Sequence, residues 1–151
     1  MKQNIFLVVA IALTMISCNK EDSNETQNVS DYPSLIVGKW DCLSIRGGEN
    51  GNYQSILLTD SGLFLRLEFD ANGMYTVSSG REGYPEYNST RTTDYEIKGN
   101  ILFVYWREDN CIDTTAATIH SLNNRKLITQ ESVEEDGYSW NQEYEFVRIT
   151  N

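Results

Sequence analysis

From residue 63 onward, apolar and polar side chains alternate along much of the chain. Leu63, Leu65, Leu67 and Phe69 are interleaved with Phe64, Arg66 and Glu68. The same period of two returns at Tyr95 and Ile97 beside Asp94 and Glu96, and at Tyr144 and Phe146 beside Glu143 and Glu145. Successive side chains of a strand point to opposite faces of its sheet, so this rhythm is that of strands with one buried face. Eight segments read as strands: residues 38–45, 63–69, 74–78, 92–97, 101–106, 114–121, 127–133 and 142–149. No window sustains a helical period. Only residues 30–36 read as a short helical turn, with Ser30 or Asp31 as its cap. The pattern predicts an all-β domain.

The connections add the topology. Asp70-Ala71-Asn72-Gly73, Lys98-Gly99-Asn100 and Asn123-Asn124-Arg125 are tight-turn sequences, with Gly or Asn available for positive φ. Between them lie longer connections, residues 46–62, 79–91, 107–113 and 134–141. In an up-and-down meander every second connection lies at the same end of the sheet. The four long connections are therefore expected together around an open mouth, and the tight turns at a closed end. The expected fold is an antiparallel up-and-down eight-stranded barrel over residues 34–151.

The first residues follow a different pattern. Residues 5–16 are apolar except for Thr14, a run too short to span a bilayer and of the length of a signal-peptide core. Ser17 and Cys18 follow it. Thr14-Met15-Ile16-Ser17-Cys18 resembles a lipobox, whose cysteine thiol takes a diacylglyceryl group and becomes the new N-terminus. That resemblance implies a signal peptide over residues 1–17 and a lipid anchor on Cys18. Asn19-Lys20-Glu21-Asp22 resembles the surface-export signal of Bacteroidota lipoproteins, which implies outer-membrane attachment with the domain displayed at the cell surface. Residues 20–30 are polar and free of aromatics, so residues 18–33 are expected to be a flexible tether.

Two motifs sharpen the expected fold. Gly38-Lys39-Trp40 is a GxW motif opening the first strand, and Glu145-Phe146-Val147-Arg148 forms the end of the last. Together with strand number and order over residues 35–149, they resemble the lipocalin-like (calycin) domains of bacterial lipoproteins. The resemblance implies that Arg148 lies across Trp40 and that Gly38, Trp40 and Arg148 form a structural plug rather than a catalytic group. It also implies a binding protein without cofactor or catalysis.

Charge narrows the partners. The chain carries 12 Lys and Arg against 22 Asp and Glu, a formal net charge of -10. Loss of residues 1–17 would remove only Lys2, leaving 11 basic against 22 acidic residues and a charge of -11. Such a chain repels phosphate backbones and anionic lipid surfaces, which excludes nucleic acid as the expected partner and leaves membrane attachment to the lipid. A hydrophobic content of 40% suits a single packed domain.

Candidate chemistry is sparse. Cys42 and Cys111 would share an oxidising exported compartment, where they are either bridged or a small buried residue and a free thiol. His120 is the only histidine, and two cysteines with one histidine at unrelated spacings do not make a metal site. It is expected on an outer strand face. The acids Glu131, Glu134, Glu135 and Asp136, like Asp70-Ala71-Asn72-Gly73, lack the spaced oxygen ligands of a calcium loop and read as solvated turns. Asp113-Thr114-Thr115 resembles a short O-glycosylation acceptor.

The remaining candidates are apolar and aromatic groups on the connections expected at the mouth: Tyr53, Ile56, Leu57 and Leu58, then Tyr84, Pro85 and Tyr87, and lastly Tyr138 and Trp140. Aromatics on a loop rim suit binding better than catalysis. The leading reading is a small hydrophobic molecule held at the mouth by Tyr53, Ile56, Leu57, Tyr84, Tyr87, Tyr138 and Trp140. The alternatives are a protein-interaction, inhibitor or structural envelope lipoprotein using the same rim and, more remotely, a hydrolase. Whether the barrel interior is filled or hollow stays open.

Overall fold

The computed structural model describes residues 28–49, 52–108, 111–135 and 138–150. The expected signal peptide, Cys18 and the tether to residue 27 lie outside the described residues, as does Asp136.

The described residues begin beneath the barrel with a 3-10 turn, Val29–Asp31, and a single helical turn, α1 (Tyr32–Leu35). Asn28, rather than Ser30 or Asp31, caps this start: its Oδ1 accepts from the Ser30 amide at 3.2 Å. Nine strands follow: β1 (Gly38–Glu49), β2 (Asn52–Leu57), β3 (Leu63–Phe69), β4 (Met74–Arg81), β5 (Tyr84–Lys98), β6 (Ile101–Glu108), β7 (Cys111–Leu122), β8 (Lys126–Glu135) and β9 (Tyr138–Arg148). A second helical turn, α2 (Leu58–Ser61), joins β2 to β3. β1 pairs antiparallel with both β2 and β3, each strand from β3 onward pairs antiparallel with the next, and β1 pairs with β9 from Trp40↔Arg148 to Glu49↔Trp140, which closes the sheet. The closed barrel comprises β1 and β3 to β9, the expected eight strands in up-and-down order. β2 is a ninth strand whose backbone ladder is with β1 alone.

The long connections are not loops. β4 and β5 run on through residues 79–91 as a hairpin around Glu82-Gly83, where Gly83 supplies a φ of 79°. β6 and β7 extend to Glu108↔Cys111, and β8 and β9 to Glu135↔Tyr138. Residues 46–62 hold the top of β1, all of β2 and α2. Cross-strand hydroxyl pairs, Thr76 with Thr92 at 2.9 Å and Ser78 with Thr90 at 3.0 Å, help to hold the β4–β5 arms together. Register still places all four hairpin tips at one end, because each follows a strand running away from Gly38.

β1 changes partner along its length. Gly38 to Asp41 pair with Phe69 to Arg66 of β3, whereas Ser44 to Glu49 pair with Leu57 to Asn52 of β2. The upper half of β3 therefore leaves β1, and the wall is split near the mouth. A register shift between Cys42 and Ser44 inserts one residue, so that the inner face of β1 carries Trp40 and Cys42 and then Ile45.

The core lies at the closed end. Trp40, Phe69, Ile36, Ile119, Leu122 and Leu127 are fully buried. Phe69 meets Tyr75 and Tyr95 at ring separations of 5.1 and 5.0 Å, and Tyr75 meets Trp106 edge-on at 5.8 Å.

Candidate functional site

The two ends of the barrel differ in kind. At the closed end, the indole Nε1 of Trp40 donates to the Ile36 carbonyl at 2.8 Å. The Arg148 guanidinium lies over the Trp40 ring, 4.2 Å from its centroid. Its Nη1 donates to the Val37 carbonyl at 2.7 Å and its Nη2 to that of Leu35. Gly38 has a φ of 137°, and any Cβ there would collide with Arg148 Nη1. Burial lowers the Arg148 pKa from its ordinary value. These are packing and hydrogen-bonding roles.

At the open end lies a cavity of about 590 Å³. Ile45 of β1, Ile56 of β2, Leu58 of α2, Leu63 and Leu65 of β3 and Tyr144 of β9 form its apolar wall, and Tyr87, Gln142 and Arg81 are at its edge. It occupies the split between β1–β2 and β3, with α2 across it. Gly80 also lines it, at a position where any Cβ would strike the side chain of Asn88. A second, deeper cavity of about 180 Å³ shares Leu65 and Tyr144 with the first. It continues inward between Leu67, Tyr75, Val77, Leu102, Val104 and Phe146.

Glu131 faces that deeper cavity. Along β8, Leu127, Thr129 and Glu131 point inward, while Gln130 and Ser132 bond to Asn141 on the outside. Glu131 is thus no solvated turn residue, because the strand runs through it to Glu135. Burial raises its carboxyl pKa from the ordinary value. Among the described residues it has no hydrogen bond or ion pair. Tyr75 and Tyr144 stand near it, their hydroxyl pKa values raised first by burial and then by its charge. The side chains of Glu134 and Glu135 lie outside the described residues.

The residues expected at the mouth divide. Ile56 and Tyr87 line the outer cavity, and Leu58, Leu63, Leu65 and Tyr144 join them. Trp140 lines a neighbouring recess that shares Ile45, Ile56 and Gln142. Tyr84 leans on Tyr87 at 6.2 Å and lies beneath Arg81. Tyr53 does not face the mouth: it stands on the outer face of β2, under Arg46 at 5.1 Å and beside Asn141. Leu57 has the same outward parity and is 54% exposed. The period of two within β2 separates these residues from Ile56. The side chain of Tyr138 lies outside the described residues.

Cys42 and Cys111 are not bridged. Cys42 is buried in β1 and Cys111 is exposed at the start of β7, and β8 and β9 lie between those strands. Three strand steps of about 4.8 Å each far exceed the span of a disulfide. Burial pushes the Cys42 thiol up to about 12. His120 is exposed on the outer face of β7, its Nε2 2.7 Å from Gln130 Oε1. Asp70 organises its turn by accepting from the amides of Asn72 and Met74 at 2.8 and 2.9 Å, and the Met74 bond in particular lowers its pKa. No group of three metal-ligating side chains comes together among the described residues.

The geometry is that of a lipocalin-like barrel: a GxW strand, an arginine over its tryptophan, and a cup open at the far end. Solved structures agree on the fold. A lipocalin-like protein from Bacteroides uniformis is similar at a TM-score of 0.50 and 13% identity, over 76% of this chain and 98% of that one. An uncharacterized protein from Bacteroides eggerthii is similar at the same score and identity, over 76% and 99%. At the level of sequence, no protein-family model and no curated protein matches.

Proposed function

We propose that this chain is a lipid-anchored, surface-displayed binding protein that holds a small apolar molecule in its outer cavity and performs no catalysis. The observation that carries this reading is the cavity of about 590 Å³ with a wall of Ile45, Ile56, Leu58, Leu63, Leu65 and Tyr144. A concave apolar site of this size with a few polar groups at its edge suits a ligand of modest size. Near the mouth its wall is split, so the interior is reached without breaking a hydrogen-bonded ladder. Anchoring rests on the lipobox-like sequence ending in Cys18, and surface display on the Lys20-Glu21-Asp22 run that follows. Tyr87, 65% exposed, and Tyr84 beside it favour a second reading in which a protein partner docks on the β4–β5 hairpin.

The test fills the cavity. In Leu65→Trp the indole enters the space a ligand would use, whereas Leu57→Trp adds the same group outside it. An environment-sensitive apolar dye should bind the natural chain and Leu57→Trp equally, and Leu65→Trp at least about tenfold more weakly. Equal binding by all three would overturn the cavity reading. Cell fractionation of Cys18→Ser checks the anchor: the variant should leave the membrane fraction and lack the lipid's mass.

A further inference from the structure

We infer that the ligand is an amphiphile with a cationic, hydrogen-bond-donating nitrogen on an apolar body, and that Glu131 is its counter-charge inside the barrel. The inference rests on the cavity reading above and deepens it. The inward register of Leu127, Thr129 and Glu131 aims a carboxylate at the deeper cavity, among side chains that are mostly apolar. Glu131 is half-buried there, and the partial loss of water around its carboxylate carries a cost that a cationic partner would offset. No protein group does so among the described residues, and no basic side chain lines the deeper cavity. The basic group at the outer cavity, Arg81, is stacked over Tyr84 at the rim. Because Leu65 and Tyr144 belong to both cavities, an apolar body in the outer one can extend its head towards Glu131. A cation is favoured over a neutral donor because bonds to charged groups are the stronger kind, and over a carboxylate because like charges repel. The acidic surface also draws cations towards the mouth.

The groups facing Glu131 do not confuse its titration. β4 contributes Tyr75 and β9 Tyr144, both shifted upward, and Cys42 of β1, near Tyr144, is pushed up to about 12. β3, β6 and β7 contribute Leu65, Leu67, Leu102, Val104, Thr115 and Ala117. From about pH 5 to about pH 8 these all keep one charge state, as does an alkylammonium. Glu131, raised by its burial, passes from neutral to charged as pH rises from the ordinary glutamate value, so cation binding should tighten in that direction.

The experiment compares octylammonium, 1-octanol and octanoate by calorimetric titration of the purified full-length chain. Octylammonium should bind at least about tenfold more tightly than octanol, with octanoate weakest. In Glu131→Gln, a substitution of nearly equal volume, the preference for the ammonium and its pH dependence should vanish. The natural chain's ranking of the three probes needs no variant and decides the question even where Glu131→Gln folds poorly. If octanol and octanoate bind and the ammonium gains nothing, the assignment of Glu131 falls while the cavity reading stands. If none of the three binds, both fall.

Discussion

Arg148 donates to the Leu35 and Val37 carbonyls while lying over the Trp40 indole, so one side chain ties the last strand to the helical turn and the first strand. The stacking is worth about 0.5–2 kcal/mol, and a hydrogen bond from a charged donor about 1.5–3 kcal/mol. Such terms do not add fully, so Arg148→Ala should cost about 2–4 kcal/mol, read as a lower denaturant midpoint at unchanged slope. Arg148→Lys should recover only part of this, since an ammonium lacks the flat fork that reaches two carbonyls and covers a ring. Both residues of this contact were legible in the sequence through their motifs. Glu131 was not, because it reads as the first acid of an acidic turn. The alternation begun at Leu127 and Thr129 is the signal that would have placed it inside.

At the scale of elements, turn chemistry was easier to read than strand length. Asp70-Ala71-Asn72-Gly73 is a turn on the strength of its own hydrogen bonds, whatever surrounds it. The β4–β5 arms hide because Ser, Thr, Asn and Arg occupy both their faces, so no alternation marks them. β2 hides behind Gly47, Gly48 and Gly51 and exists because β1 outlasts its pairing with β3. α2 is a single turn ended by Gly62 at a φ of 69°, too short to carry a period. Leu58 is its one buried residue and part of the outer cavity wall. Leu58→Ala should therefore cost about 2–4 kcal/mol of stability and, by loosening α2, speed amide hydrogen exchange at residues 58–63. Unchanged exchange there would show that α2 is held by something other than this side chain.

For the whole molecule, the all-β class and the up-and-down order followed from periodicity and from the alternation of short and long connections. The hollow interior did not, since the space left inside a barrel depends on how strands splay and where bulges fall. The bulge at Cys42 to Ser44 and the departure of β3 from β1 leave no mark in a pattern of apolar positions. One feature of the closed end reaches beyond stability. The helical turn beneath Trp40 is where the described residues begin, so Asn28 lies at the pole opposite the cup. If Cys18 carries lipid, the ten residues from Cys18 to Asn28 reach at most about 35 Å, which keeps the closed end near the bilayer and lets the cup open to the medium. Cys111 stands exposed at that far pole while Cys42 is buried, which makes it a natural compass needle. A membrane-impermeant maleimide added to intact cells should label the natural chain at Cys111 and leave Cys111→Ser unlabelled. Full protection of the natural chain would mean that the opening is turned away from the medium, and its guests would then have to come from the cell side.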